Sequence, residues 1–327
     1  MGSAFEKGRV AIGLNAAIVA LDGFEPVFLS VPEQGDRKTK SGANVRGLPY
    51  GSFNPLEHRT MEIAVRGFVN EQTGLSLGYI EQLYTFGDRG RAAAALKQDE
   101  MHVVSIGYLA LSRMNEEQPL AAFWRPWYAA FPWEDWRAGE PDIIKKEILP
   151  RLNEWVQAME MGRARQEAQD RVNICFGSDA VHWDEEKVLD RYELLYEAGL
   201  IAEAQRDGRS AALVWSNLPR FGEPMIFDHR RILATAMSRM RAKIKYRPVI
   251  FDLMPPSFTL LQLQKSVEAI SGNQLHKQNF RRLVETGGLV VATGKMSSET
   301  GGRPAKLFRF RKEVLLERRT AGVRVRP

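Results

Sequence analysis

The sequence predicts an α/β protein, a mixed sandwich with a helical insertion and a C-terminal helix-turn-helix unit. Three patterns support this fold class. Strand patterns precede and follow one amphipathic helix within residues 10–111, without the regular alternation of strand and helix that a doubly wound sheet requires. The middle of the chain is mainly helical, and two helices followed by two short strands come after Pro248. A chain of 327 residues also exceeds the ~250–300 residues at which a single core stops growing, so we expect two domains.

The N-terminal elements are predicted from hydrophobic periodicity. Apolar, β-branched runs on either side of "DGFE" (22–25) predict two adjacent strands. A helix follows and ends at "TGL" (73–75), and two more strands are predicted at Ile80–Phe86 and His102–Leu111. The apolar face of that helix consists of Met61, Ala64, Val65, Phe68 and Val69.

Three helices are predicted in the middle of the chain. One runs from about Pro141 to Met161, and a second begins at the N-cap Asp184 with its leucines and tyrosines in the core. The third runs from the N-cap Asp228 to about Tyr246, where the charge of the chain changes sign. We therefore expect this third helix to connect the two domains.

The C-terminal region has the pattern of a helix-turn-helix. Its first helix starts at the cap pair Ser257/Thr259, "SGNQ" (271–274) forms the turn, and the second helix ends at Gly287 and Gly288. Two short strands around a basic, glycine-rich tip follow, which is the outline of a winged helix. The predicted apolar stripe of the second helix consists of Leu275, Phe280, Leu283 and Val284.

Charge is distributed unevenly along the chain. Residues 237–327 contain 19 Lys and Arg against 6 Asp and Glu, a net charge of +13, whereas residues 1–236 carry −7. A basic unit of this size predicts binding to a polyanion such as nucleic acid, and the alternative is a solvated basic surface.

Composition argues against several classes of protein. The single cysteine, Cys175, cannot form an intramolecular disulfide, and the five histidines show no zinc-ligand spacing. No apolar run approaches the ~20 residues that span a bilayer, and Met1–Val10 lacks the long apolar core of a secretory signal. We therefore expect a cytoplasmic protein without a membrane partner.

Two parts of the chain resemble a known family. "LPYGSFNPLE" (48–57) matches the opening of the Nudix box, G-x5-E-x7-R-E-U-x-E-E-x-G-U, with Gly51 and Glu57 in register. The motifs "FT", "NFRR", "TG" and "GRPA" occur in the order found in the Nudix-related transcriptional regulators of NAD metabolism, and "LYTFGDRGR" and "VVSIGYLAL" are similar to those regulators too. The resemblance covers roughly residues 10–135 and 226–312, and it leaves about 140–223 unexplained.

This resemblance implies a domain organisation. It implies a Nudix-like α/β/α sandwich at 1–225 that binds an effector and contains the helical insertion at 140–223. A linker helix at 226–247 then leads to a winged helix-turn-helix domain at 248–327.

The metal ligands of the Nudix box are replaced in this chain. Nudix chemistry holds Mg²⁺ on clustered glutamates of one helix, because a hard cation needs several oxygen ligands. Aligning "TGL" with the end of the box puts Gly67, Phe68, Glu71 and Gln72 at its Arg and three Glu positions. Aligning from Gly51 without a gap puts Val65, Arg66, Val69 and Asn70 there. At most one carboxylate remains in either register, so we predict no catalytic residues, no metal, no cofactor and no enzyme activity.

The second helix of the helix-turn-helix is predicted to read DNA. Its outward residues are of the types that contact guanine, adenine and phosphates in the major groove. Arg303 and Lys306, beside Gly301 and Gly302, suit a wing that touches the backbone or the minor groove. Four cations of the third helix, Arg239, Arg241, Lys243 and Lys245, are candidates for further phosphate contacts or for simple solvation. The candidate readers are Lys277, Gln278, Asn279, Arg281 and Arg282.

The family resemblance implies an effector in the Nudix groove, ADP-ribose or a related NAD metabolite, with sugars as alternatives. Arginines can clamp a diphosphate, and an aromatic ring can stack on adenine. The candidate contacts are Arg46, Phe86, Asp88, Arg89, Arg91 and Tyr108.

The preferred interpretation is a homodimeric transcriptional regulator that binds a palindromic operator in double-stranded DNA. One alternative is an active pyrophosphohydrolase whose metal ligands come from outside the box. Another is a protein-interaction adaptor that uses the insertion.

Overall fold

The computed structural model describes residues 9–32, 45–88, 101–114, 124–178, 181–297 and 304–313. The strands in chain order are β1 (Arg9–Asp22), β2 (Glu25–Leu29), β3 (Val31–Pro32), β4 (Arg46–Gly47), β5 (Tyr50–Ser52), β6 (Ile80–Phe86), β7 (Met101–Leu111), β8 (Trp124–Pro126), β9 (Val290–Ser297) and β10 (Ala305–Phe310). The helices are α1 (Met61–Thr73), α2 (Trp127–Ala130), α3 (Leu149–Gln157), α4 (Arg163–Phe176), α5 (Val188–Glu197), α6 (Ala202–Arg206), α7 (His229–Ile244), α8 (Ile250–Leu253), α9 (Leu260–Ser271) and α10 (Lys277–Thr286).

A mixed sheet in the order β6-β7-β1-β2-β8 forms the centre of the N-terminal part, and β5 also pairs with β1. Strand β1 runs parallel to β7 and antiparallel to β2. Successive side chains of β1 point to opposite faces, so Leu14, Ala16 and Ile18 lie in one core while Ala17 and Val19 lie in the other. Because helices cover both faces, β1 is a nearly continuous apolar run. This confirms the predicted α/β sandwich.

Helix α1 covers one face of the sheet and has the predicted bounds. Thr60 caps its N-terminus by accepting a hydrogen bond from the amide of Ile63, and Gly74 ends it at φ +70°. Four residues of the predicted apolar face are buried, and Met61 packs against the same core.

Helix α7 covers the opposite face of the sheet. Ile232 and Met237 are buried against it, and Gly107 of β7 allows the close approach, since a Cβ there would lie 2.9 Å from Cγ2 of Ile232. The helix that we predicted as a connection is thus also a layer of the sandwich. Asp228 precedes it without a side-chain cap and instead accepts a hydrogen bond from Arg231.

The insertion is helical, as predicted, but the bounds of its helices differ from the prediction. The first helix passes through a π-helical turn, Ile144–Ile148, and ends at Gln157, after which α4 forms a helix that we did not predict. Asp184 is not an N-cap, because residues 185–187 form a turn and α5 begins only at Val188. The predicted second helix also breaks into α5 and α6 at Gly199, which has φ +74°.

The C-terminal part is a winged helix. Thr259 and Gln262 form a capping box at the start of α9, and β9 pairs antiparallel with β10. A two-way backbone pairing between Phe258 and Phe308 ties the hairpin to the start of α9. None of the helices in the described part of the chain is long and apolar enough to cross a membrane.

Candidate nucleic-acid interface and effector pocket

Helix α10 presents a polar, basic face to solvent. Phe280 and Val284 are buried against the rest of the winged helix, so the remaining faces of this short helix point outward. Leu283 was predicted to be buried, but it is 38% exposed, because only one narrow stripe of α10 contacts the core. The predicted readers Lys277, Gln278, Asn279, Arg281 and Arg282 are all exposed. This arrangement can offer donors and acceptors to base edges and cations to phosphates.

The wing presents one predicted cation to solvent. Lys306 is exposed on β10, where it pairs with Met296 of β9, which is also exposed. Arg303 lies outside the described residues. An exposed lysine on a strand of the wing suits a contact with the DNA backbone.

The predicted phosphate contacts on α7 must be corrected. Arg241 is fully buried and donates to Glu134, so it cannot reach DNA. Lys243 is paired with Glu81, and Lys245 contacts the carboxylates of Glu185 and Glu186. Arg239 alone of the four is exposed. Packing of α7 against the sheet and the insertion uses these cations inside the protein.

In the Nudix-like box, the side chains of Phe68 and Gln72, which stand at glutamate positions in one register, pack against residues 50–51. The Phe68 ring packs against Gly51, where a Cβ would lie 2.8 Å from Cδ1 of Phe68. Gln72 exchanges two hydrogen bonds with the backbone of Tyr50, donating at 2.6 Å and accepting at 3.2 Å. Glu71 is exposed. In the part of the chain that the structure describes, no group of three or more His, Cys, Asp or Glu side chains could hold a metal ion.

The predicted effector contacts do not form a single cluster. Phe86 lies on the α7 face of the sheet, under the guanidinium of Arg231, which also pairs with Asp88. Tyr108 is buried on the α1 face, where burial and the nearby Glu62 raise its pKa. One ligand cannot touch both rings from one side of the sheet. Arg89 and Arg91 lie outside the described residues.

Of the predicted effector contacts, Arg46 lines a pocket. The pocket has a volume of about 110 Å³ and contains three arginines, Arg46, Arg125 and Arg220, together with Glu223. Arg125 projects from β8 and donates to both carboxylate oxygens of Glu223, at 2.6 and 2.8 Å from Nη2. We define these four residues as the arginine pocket. Arg125 and Arg220 were not predicted, because they are separated from Arg46 by at least 79 positions and no short motif links them.

The backbone around the arginine pocket is held by hydrogen bonds between distant segments. The amide of Ile226 donates to the carbonyl of Arg46 at 3.1 Å, and the amide of Glu223 donates to the carbonyl of Ala129 at 2.8 Å. Gly222 has φ +75°, and a Cβ there would lie 2.3 Å from the carbonyl oxygen of Ala130. Only glycine allows this approach, which brings the end of the insertion to β8 and α2.

Near the arginine pocket, the buried His229 bonds to the backbone at the opening of the Nudix-like box. Its Nδ1 accepts a hydrogen bond from the amide of Leu48 at 2.9 Å. Burial, followed by the charge of Arg206, lowers the pKa of His229 to about 3, so the imidazole is neutral and able to accept. The rings of Tyr50 and Phe227 pack edge-on against it.

A buried ion cluster joins the sandwich, the insertion and the winged helix. Glu134 accepts from Arg191 of α5 at 2.6 and 2.8 Å and from Arg241 of α7 at 2.6 Å, and all three side chains are 0% exposed. We call these three residues the Glu134 cluster. Arg241 also donates to the carbonyl of Ile270 in the last turn of α9. One feature of the sequence could have predicted the burial of Arg241. It lies within the apolar stripe of α7, between Met237 and Ile244.

Two further bonds hold the end of α9. The hydroxyl of Tyr128 donates to the carbonyl of Ala269 at 2.6 Å, and the amide of Trp136 donates to the carbonyl of Gly272 at 2.8 Å. Residues 124–136, which we call the bridging segment, therefore run from Arg125 in the arginine pocket to the turn that precedes α10.

The C-terminal part of the chain is similar to a known family of DNA-binding domains. Residues 250–310 match the family model of the NrtR DNA-binding winged helix domain. The ADPR responsive transcriptional repressor NtrR of Acinetobacter baylyi is 42% identical over 86 residues, which are 26% of this chain and 34% of the repressor. The matched region thus spans about a third of the length of that relative.

The fold extends this similarity to nearly the whole chain. The crystal structure of Shewanella oneidensis NrtR has a TM-score of 0.52 at 18% identity and covers 93% of this chain and 95% of its own. The structure of the same protein complexed with a 27mer DNA has a TM-score of 0.50 at 21% identity and covers 93% and 94%. The predicted combination of a Nudix-like sandwich and a winged helix is confirmed.

Proposed function

We propose that this chain, which has the NrtR fold and an NrtR winged helix domain, is a DNA-binding transcriptional regulator. The observation that carries the proposal is the exposed face of α10, where three cations and two amides surround a single buried stripe of Phe280 and Val284. The net charge of +13 in residues 237–327 supplies the electrostatic part of binding to a polyanion.

We further propose that ADP-ribose or a related nucleotide regulates DNA binding. The relative from Acinetobacter baylyi is named as ADPR responsive, and the sandwich of this chain retains a pocket lined by arginines. An effector can shift DNA affinity only through its different affinities for two arrangements of the protein, commonly by ~1–3 kcal/mol. We expect ADP-ribose to weaken operator binding about fivefold or more.

The proposed regulator acts as a homodimer in the cytoplasm. One recognition helix per chain reads one half-site, so a dimer reads a palindromic operator with half-sites about one DNA turn apart. The bridging segment connects the arginine pocket to α9, so it supplies a contiguous physical route between effector and operator.

Substitutions in α10 test the DNA reader. We expect Arg281→Gln and Asn279→Ala to lose discrimination between an operator selected from random duplexes and a scrambled duplex, by roughly 1–3 kcal/mol each, because they remove base contacts. Lys306→Gln is expected to weaken both duplexes equally, since a backbone contact carries no sequence information. The measurement is binding to both duplexes at one fixed salt concentration.

Arg163→Gln is the matched control, because Arg163 is 91% exposed on α4 in the insertion. It removes the same charge and is expected to leave both affinities unchanged. Parent-like discrimination by both α10 variants would show that another element reads the operator.

We propose that the box has no hydrolase activity. Phe68 and Gln72 occupy two of the three glutamate positions in one register of the box, and both are committed to packing against residues 50–51. Purified protein with Mg²⁺ or Mn²⁺ is expected to hydrolyse neither ADP-ribose nor dinucleotides above a blank without protein. Turnover that persists in Glu62→Gln but disappears in Glu71→Gln would instead establish the pyrophosphohydrolase.

A further inference from the structure

We infer that the arginine pocket is a phosphate-binding site that receives a phosphate group of the effector, with one of its arginines supplied by the insertion. This inference rests on the proposed function and deepens it, because it names the residues and the chemical group that they bind. Three observations carry it: the charge of the lining, the size of the cavity and the place of Glu223.

The lining carries a net positive charge. Arg46, Arg125 and Arg220 line the same cavity, and Glu223 is the one acidic side chain among the described residues of the lining, so these four side chains sum to +2. Three arginines beside one cavity favour an anion there, because opposite charges attract. Guanidinium forks match the tetrahedral oxygens of a phosphate with two hydrogen bonds each.

The size of the pocket suits a phosphate group. Its volume of about 110 Å³ is several times the ~10–15 Å³ that one water molecule needs. The pocket opens to solvent at the exposed Arg220, so the remainder of a nucleotide can extend outward from a phosphate group held there.

Glu223 occupies the position of an anion. Its carboxylate receives both bonds from Nη2 of Arg125, at 2.6 and 2.8 Å, and a third from Nε at 3.3 Å. This carboxylate and an incoming phosphate compete for the same guanidinium. Removing the negative charge of Glu223 is therefore expected to strengthen phosphate binding, the opposite of the effect of removing an arginine.

The insertion takes part in the site through Arg220 and Glu223. Gly222, between them, packs against the carbonyl of Ala130, and the amide of Glu223 donates to Ala129. A phosphate that draws Arg125 away from Glu223 thus affects the bridging segment at two places. One is Arg125 itself, and the other is the contact of Gly222 and Glu223 with Ala129 and Ala130. The pocket lies at the start of the segment that holds the end of α9.

The test is calorimetric titration of the full chain with orthophosphate, pyrophosphate and ADP-ribose. Losing one charge-assisted contact is expected to weaken pyrophosphate and ADP-ribose binding about tenfold or more in Arg46→Gln and in Arg220→Gln. Glu223→Gln is expected to bind both several times more tightly. Arg163→Gln, on the exposed face of α4, removes a charge outside the pocket and is expected to match the parent.

Operator binding is measured in the same preparations, so that loss of fold and loss of the proposed function are seen separately. Arg220 is exposed, so its variant is expected to keep the melting temperature and the operator affinity of the parent. Weakened ADP-ribose binding with intact operator binding supports the inference. Parent-like ADP-ribose binding in both arginine variants overturns it and leaves the DNA-binding function standing.

Two other outcomes also overturn the inference. One is that the arginines affect orthophosphate alone, which assigns the pocket to free phosphate and not to the effector. The other is that none of the three anions binds the parent protein. Operator binding decides the proposed DNA-binding function independently in both cases.

Discussion

Replacing Glu134 with alanine is expected to lower the free energy of unfolding by roughly 3–5 kcal/mol, because it leaves two buried guanidinium groups without their carboxylate. Arg191 and Arg241 are 0% exposed, and each donates to Glu134. Carbonyl groups satisfy their other N–H groups but do not neutralise their charge. The measurement is equilibrium unfolding in urea.

The control for Glu134→Ala is Glu167→Ala, which breaks the exposed ion pair between Glu167 and Arg163. An exposed pair of this kind contributes about 0–1 kcal/mol, so the control is expected to unfold close to the parent. Equal, small effects of the two substitutions would mean that the Glu134 cluster is solvated and does not join the domains.

The second large effect is expected for Gly272→Ala, at the end of α9. Gly272 has φ +77°, and a Cβ there would lie 2.5 Å from the carbonyl oxygen of Glu134 and 2.6 Å from Nη2 of Arg241. Alanine adds the strain of the left-handed conformation, ~1–2 kcal/mol, to an overpacking cost of typically 1–3 kcal/mol. We expect a total loss of roughly 2–5 kcal/mol in the free energy of unfolding.

Gly74→Ala is a matched control for this substitution. Gly74 also ends a helix, with φ +70° and its amide bonded to the carbonyl four residues earlier, but nothing lies within 4 Å of its Cβ position. The difference between the two variants therefore reports the contact between α9 and the bridging segment. Gly272→Ala is also expected to reduce the effect of ADP-ribose on operator affinity, whereas Gly74→Ala keeps it. If the two variants lost the same stability and responded identically to ADP-ribose, the proposal that the bridging segment couples the arginine pocket to the winged helix would be wrong.

Local sequence patterns predicted the helices that pack through a single apolar face. The apolar spacing from Met61 to Val69 predicted α1, and the polar residues around Phe280 predicted the exposed face of α10. The family resemblance, with its ordered C-terminal motifs, added the winged helix and the Nudix-like sandwich. The predictions of α1 and of the exposed face of α10 succeeded because periodicity and turn chemistry act over a few residues.

Predictions failed where distant segments decide the outcome. Asp184 has the chemistry of an N-cap, yet its segment forms a turn before α5. Gly199 breaks the same predicted helix into α5 and α6, and a Cβ there would lie 2.4 Å from the amide nitrogen of Ala212. Arg241 was expected to contact phosphate or to be solvated, but it is 0% exposed, because α7 is buried between the sheet and the insertion.

The sequence by itself determined the fold class, the exposed polar face of α10 and the loss of the glutamate pattern from the box, because each depends on residue types at short spacing. The tertiary structure alone decided which arginines meet. Arg46, Arg125 and Arg220 converge on one pocket, while Arg191 and Arg241 converge on Glu134. The physical reason is that a charged side chain takes its role from the groups that surround it, and those groups come from strands and helices far apart in the chain.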